Sequence, residues 1–177
     1  CEKLIILNEK RKKIQNKIFE SLNKMIKVIN NEVIFIYEEN INEGLLGIIS
    51  AKFVELYGKP CFMLTNSNDQ IKCSSRSIYG FNIGEIFNDA LNKKIILKGG
   101  GHSMAGGCSL QKNKIDEFKN YLNNIFKNSF INLKAKKHYV SEQNIESLKK
   151  FAKNDLQKLE PFGNNNLNPF FLIKRNK

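Results

Sequence analysis

The stretch KGGGHSMAGG, residues 98–107, constrains this chain more than any other ten residues. It holds five of the eleven glycines, Gly99, Gly100, Gly101, Gly106 and Gly107, around His102, one of only two histidines. Bare backbone of this kind reaches positive φ and lets a ligand approach closely. Successive free N–H groups in a glycine turn form a concave anion site. His102 adds a side-chain donor, and Lys98 adds charge. The plain alternative is a tight turn between a helix and a strand, with His102 capping a neighbour. Three glycines, a histidine and a second glycine pair favour the ligand-binding reading. The run is not a Walker loop, because no GK[ST] follows. It is not a Rossmann fingerprint either, because the glycines precede a strand instead of joining a strand to its helix. Cys108, six residues beyond His102, is read as unrelated to it and not as a nucleophile partner.

A second constellation is SSRSIYGF, residues 74–81, where Ser74, Ser75 and Ser77 surround Arg76 in a turn-like polar run. Lysine and asparagine dominate this composition, and only Arg11, Arg76 and Arg175 are arginines. An arginine kept where lysine is the default points to a need for the planar fork that grips phosphate through two parallel bonds. A surface ion pair in a polar loop is the competing explanation.

The net charge is +12, and its distribution matters more than its size. Residues 1–30 carry 8 basic and 3 acidic groups, residues 31–130 carry 11 and 10, and residues 131–177 carry 10 and 4. Basic flanks suit a phosphate-backbone partner. Lysine-rich solvated faces arising from codon drift account for the same numbers. No apolar run approaches the roughly 20 residues of a membrane span, so no membrane is expected. The four cysteines show no CxxC pair, which argues against structural zinc and suits a reduced, cytoplasmic setting.

Hydrophobic periodicity predicts a long amphipathic helix over 4–30 and strands at 33–37 and 61–65. It predicts a helix at 44–58 stopped by Gly58 and Pro60. NSND is expected to turn into a short strand QIKC. A helix over 83–94 and a strand over 104–110 follow. Asn113 is expected to cap a helix over 114–128, with Asp116 and Glu117 in its first turn. A strand is expected near 131–136. Ser141 is expected to cap a helix over 142–159, before a turn at 161–169 and a strand at FFLI. The alternation predicts an α/β (α+β) fold, a mixed sheet flanked by helices, with a domain break near 129–140. The first residue is Cys1 and the chain stops just after FFLI, so a section of a longer protein is expected.

A two-metal phosphoesterase centre needs several Asp and His side chains converging on ions roughly 3.5–4 Å apart. This chain has two histidines and four aspartates, and no DHH, HxH or DxD motif. No bound metal is expected here.

Together, SSRSIYGFNIGEIFNDA and LKGGGHSMAGGCSL resemble the DHH-associated domain of the RecJ family of single-strand-specific 5′-to-3′ DNA exonucleases. EGLLGIISAKFVELYGKPCFML is similar to the segment preceding it, and LNEKRKKIQ to the connector helix after the family's DHH domain. LEPFGNNNLNPFF resembles the entry to its OB-fold. The resemblance implies a connector helix over 1–30, a substrate-binding domain over 31–130, and a helical linker with the start of an OB-fold-like unit over 131–177. It implies that two Mn²⁺ or Mg²⁺ ions sit in a DHH domain absent from this chain, joined to it in cis, so that the chain alone is inactive. Ser74 and Arg76 would hold a phosphate near the 5′ end of single-stranded DNA. Gly100, Gly101 and His102 would sit at the scissile phosphate, beside Lys98. A cytoplasmic monomer serving DNA repair and recombination is expected. This sequence departs from the family pattern at Cys73 and Ser75, where GSGRS is usual, and at Gly106, where MAAG is usual. Other readings are a DHH-type phosphodiesterase for short oligonucleotides or cyclic dinucleotides, and a non-catalytic nucleic-acid-binding module.

Overall fold

The structure, a computed structural model, describes residues 2–26, 33–130, 141–143, 145–162, 169 and 171–173. The chain divides into two compact units, residues 1–133 and 134–177.

The first unit runs α1 (Glu2–Ile26), β1 (Ile34–Tyr37), α2 (Glu43–Tyr57), β2 (Cys61–Ser67), β3 (Gln70–Arg76), α3 (Ile83–Asn92), β4 (Lys98–His102), β5 (Ala105–Leu110) and α4 (Ile115–Phe130). Its five strands lie in the order β1-β2-β3-β5-β4. The β1–β2 pair is parallel and crosses over through α2; every other pair is antiparallel. Asn42 caps α2 by accepting from the Gly44 N–H at 2.9 Å, and Gly58 closes it in the left-handed region, φ 61°. Asn82 caps α3 the same way.

Side-chain alternation along the strands feeds two separate cores. On one face Phe62, Leu64, Ile71, Cys73, Cys108 and Leu110 pack against α3 and α4. Phe118 is fully buried there, with its ring centroid 6.1 Å from Phe62 and 6.3 Å from Phe87. On the other face Ile34, Ile36, Cys61 and Met63 meet α2 and the C-terminal half of α1. Phe19 of α1 lies 4.7 Å from Phe53 of α2, centroid to centroid. The second core takes nothing from β4 or β5.

Three local expectations change in the first unit. Strand β3 does not stop at Cys73; it continues through Arg76, because its register with β2 and β5 holds along the whole polar run. Lys98–His102 is not a turn but the edge strand β4. Asn113 does not cap α4; it sits inside a 3₁₀ turn, Lys112–Lys114, that leads into the helix.

The second unit contains β6 (Ser141–Gln143), α5 (Ile145–Asn154), a 3₁₀ turn at Leu156–Leu159 and β7 (Phe171–Ile173). Ser141 is therefore a strand residue and not a helix cap. β6 and β7 pair in parallel from Ser141↔Phe171 to Gln143↔Ile173. Phe151 of α5 meets Phe171 of β7 edge-on at 5.7 Å. The expected strand near 131–136 and most of the turn at 161–169 fall outside the described residues.

Candidate nucleic-acid interface

Paired residues on neighbouring strands share a face of the sheet. The register sets Arg76 opposite Ala105 and Ala105 opposite His102. Ser74 lies opposite Gly107, which lies opposite Gly100, and Lys72 opposite Ser109, which lies opposite Lys98. Ser74, Arg76, Lys98, Gly100 and His102 thus lie on one face, that of the second core. β3 and β4 stand two strand spacings apart, about 10 Å. On this face α2 reaches β3 but the second core stops there. All of β4 is exposed, as is Gly107.

Gly100 makes the floor of this face. A Cβ there would have nothing within 4 Å, so the bareness serves no packing partner among the described residues. Gly101 turns the other way. A Cβ on it would overlap the Ala105 carbonyl oxygen and lie 2.5 Å from Gly106 Cα. It contributes to the face through its backbone alone. Gly106 faces α3, where a Cβ would lie 2.7 Å from Ile83 Cγ2 and 2.9 Å from the Phe87 ring. One glycine run therefore serves two needs, an open floor on one side and close helix packing on the other.

Arg76 is half-buried, and its Nη1 donates to the Ser75 carbonyl at 2.9 Å. Among the described residues it has no carboxylate partner. Its remaining N–H groups stay available to an anion. Ser74 lies alongside: a Cβ placed on Gly47 of α2 would sit 3.1 Å from Ser74 Oγ and 3.2 Å from Arg76 Nη2. Gly47 is a residue that sequence reasoning missed. The signal was present, since a mid-helix glycine costs about 1 kcal/mol against alanine and calls for a packing reason.

His102 is exposed, and its Nδ1 accepts from the Met104 N–H at 3.3 Å. A neutral ring accepting at Nδ1 carries its proton on Nε2. The second nitrogen is thereby set up as a donor. The hairpin that bears it is tied down at its tip: the Ser77 N–H donates to the Met104 carbonyl at 2.9 Å, and the Ile83 N–H to the Ser103 carbonyl at 3.1 Å. Cys108 belongs to the core on the opposite face, so His102 has no thiol partner there.

Among the described residues no three His, Cys, Asp or Glu side chains gather in a way that could hold a metal ion. Among the described residues no helix is long and apolar enough to cross a membrane. What the face offers is a guanidinium fork, a hydroxyl, two ammonium groups, an imidazole donor and bare backbone. Groups of these kinds are the ones that recognise phosphate in proteins generally.

The chain belongs to the DHHA1 domain family, whose pattern matches residues 20–128. Among curated relatives it is 25% identical over 178 residues to the single-stranded-DNA-specific exonuclease RecJ of Bacillus subtilis, covering 95% of this chain and 22% of that protein. It is 28% identical over 127 residues to the RecJ exonuclease of Haemophilus influenzae, covering 66% and 22%. The chain thus spans about a fifth of the length of these relatives. Its fold matches the crystal structure of Thermus thermophilus RecJ in complex with Mn²⁺, with a TM-score of 0.71 at 19% identity over 97% of this chain and 25% of that one. Another structure of that protein holds Mg²⁺, so RecJ proteins bind divalent metal. The expected mixed sheet with flanking helices and a long leading helix is the architecture observed.

Proposed function

We propose that this chain is the substrate-holding part of a metal-dependent, single-strand-specific 5′-to-3′ DNA exonuclease of DNA repair and recombination. Arg76 and Ser74 hold a phosphate near the 5′ end. Gly100 and Gly101 let the strand pass close to the backbone, His102 donates to the scissile phosphate, and Lys98 adds attraction. The Mn²⁺ or Mg²⁺ ions belong to a DHH domain in cis, and the chain by itself does not cleave DNA. Residues 1–30 act as connector, 31–130 as the substrate-binding domain, and 131–177 as linker and start of an OB-fold. The protein works as a monomer in the cytoplasm.

The observation that carries this reading is the convergence of Ser74, Arg76, Lys98, Gly100 and His102 on one face. Its test is binding of a 5′-phosphorylated single strand by the chain, wild type against Arg76→Lys, over a range of salt. Lysine keeps the charge but loses the fork. A lost charge-assisted hydrogen bond is worth about 1.5–3 kcal/mol, so Kd should rise roughly tenfold to a hundredfold. Equal affinity for the two proteins, or binding that ignores salt, would sink the proposal.

A further inference from the structure

Three residues beyond Arg76 stands Tyr79, 89% exposed, the most exposed large side chain of its kind among the described residues. Isolated surface aromatics are ordinary, so exposure alone carries little. The mounting is what distinguishes this one. Residues 78–81 form a turn closed by the Phe81 N–H donating to the Ile78 carbonyl at 3.2 Å, with Gly80 at φ 89°. A type II turn requires that positive φ at its third position, and glycine supplies it. The Ser77 hydroxyl also bonds the Phe81 carbonyl, and Ser77 and Phe81 are both buried. The turn is thus clamped at its base while the ring at its crest is almost fully exposed. Among the described residues the Tyr79 hydroxyl has no hydrogen-bond partner.

The same turn is bonded to the β4–β5 hairpin through Ser77 and Met104. The segment that bears Tyr79 thus leaves β3 directly after Arg76 and is bonded on either side of the turn, through Ser77 and Ile83, to the tip of the hairpin that carries His102. Three residues span at most about 11 Å of chain from Arg76. A nucleotide whose phosphate lies at Arg76 brings its base within reach of that ring. Aromatic rings held at the border of a cationic groove are how single strands are bound without regard to sequence, because every base has a π-face.

We infer that Tyr79 is a stacking platform for one unpaired base of the strand whose phosphates Arg76 and its neighbours hold. The inference rests on the phosphate-holding reading above and adds a base contact to it. It explains why a ring is spent on a solvent-facing crest, and it favours a strand whose bases are unpaired over a duplex whose bases are already stacked. A rigid turn also lowers the ordering cost of the contact, since little of the turn remains to be fixed on binding.

The chain contains no tryptophan, so Tyr79→Trp introduces a single reporter at the crest. The probes are an oligothymidylate and an abasic strand of the same length, both 5′-phosphorylated. Expected results are quenching of the new tryptophan by the oligothymidylate and little quenching by the abasic strand. Tyr79→Ala should weaken oligothymidylate binding roughly fivefold to a hundredfold and leave abasic binding unchanged. Tyr79→Phe should retain wild-type affinity. Wild-type affinity in Tyr79→Ala, or an equal loss for both strands, overturns the stacking role and leaves the phosphate reading standing. Failure of both strands to bind the wild-type chain, with no quenching, overturns both. Melting curves check that each variant is folded, and Tyr79→Phe keeps the test decisive if alanine disturbs the turn.

Discussion

Gly100 and Gly101 are neighbours in sequence, yet alanine should have opposite effects at the two positions. At Gly101 the new methyl collides with backbone, not with a side chain that can swing away: the Ala105 carbonyl oxygen and, at 2.5 Å, Gly106 Cα. The hairpin must open or shift. Overpacking of this kind costs about 3 kcal/mol, the upper part of its usual range. For a chain of this size that is a fall of about 6–12 °C in Tm. At Gly100 the methyl points into open space, with nothing within 4 Å. Removing the flexibility of a strand glycine gains about 0.5–1 kcal/mol, so Tm should hold or rise by about 1–4 °C. The penalty appears on binding, because the methyl occupies the floor over which a phosphate would pass. One lost charge-assisted contact raises Kd roughly tenfold to a hundredfold. The assay is differential scanning calorimetry on both variants, followed by fluorescence anisotropy with a labelled single strand. Wild-type melting of Gly101→Ala would refute the packing of β4 on β5. Wild-type binding by Gly100→Ala would refute the use of this floor by a ligand.

His102→Ala should melt within about 2 °C of wild type, because the ring is exposed, while the proposed donation to phosphate predicts that single-strand affinity falls several-fold, read by fluorescence anisotropy. Phe118→Ala removes the ring at the centre of the α3–α4 core, and thermal unfolding should report a loss of about 3–5 kcal/mol. The Lys93 ammonium, and after it the Tyr121 hydroxyl, hold the Asp89 carboxyl below its ordinary value. Its contribution is therefore complete above the ordinary carboxylate pKa and is lost as pH falls through the lower folded one. Urea midpoints measured across that acid range should slope less for Asp89→Asn than for wild type; equal slopes would remove Asp89 from the account.

The helices and buried strands were legible because their signals are local. Gly58 and Pro60 mark the end of α2 in the sequence as they do in the fold. CFMLT reads as β2 because it is buried on both faces. What escaped was structure imposed by pairing. Glycine has little strand preference of its own, so KGGG read as a turn; the β5 ladder and the near approach of Gly101 to Gly106 make it a strand. The polar run CSSR read as a loop because strands were expected to alternate apolar and polar. Its core-facing positions are a cysteine and a serine, and Ser75 is satisfied by the Gly106 carbonyl at 2.9 Å. The family motifs name the members of the candidate face one residue at a time. Its geometry, which sets Ser74 and Arg76 across β5 from Gly100 and His102, depends on a register that no local signal encodes.

That register makes the face a seam between two hairpins. β2 and β3 meet through a short turn at Asn68 and Asp69, and β4 and β5 through Ser103 and Met104. Each closes a short loop and belongs to the fast class of folding events. The β3–β5 ladder joins residues far apart in sequence, from Ile71↔Leu110 to Arg76↔Ala105, and long loops close later and at greater entropic cost. Half of the face, Ser74 and Arg76, travels with one hairpin; the other half, Gly100 and His102, travels with the other. The face exists only once the two have docked. A strand of phosphates lying across it acts as a splint over the seam. Amide exchange along β3 and β5 should slow when such a strand is bound, by the factor that its affinity and concentration dictate.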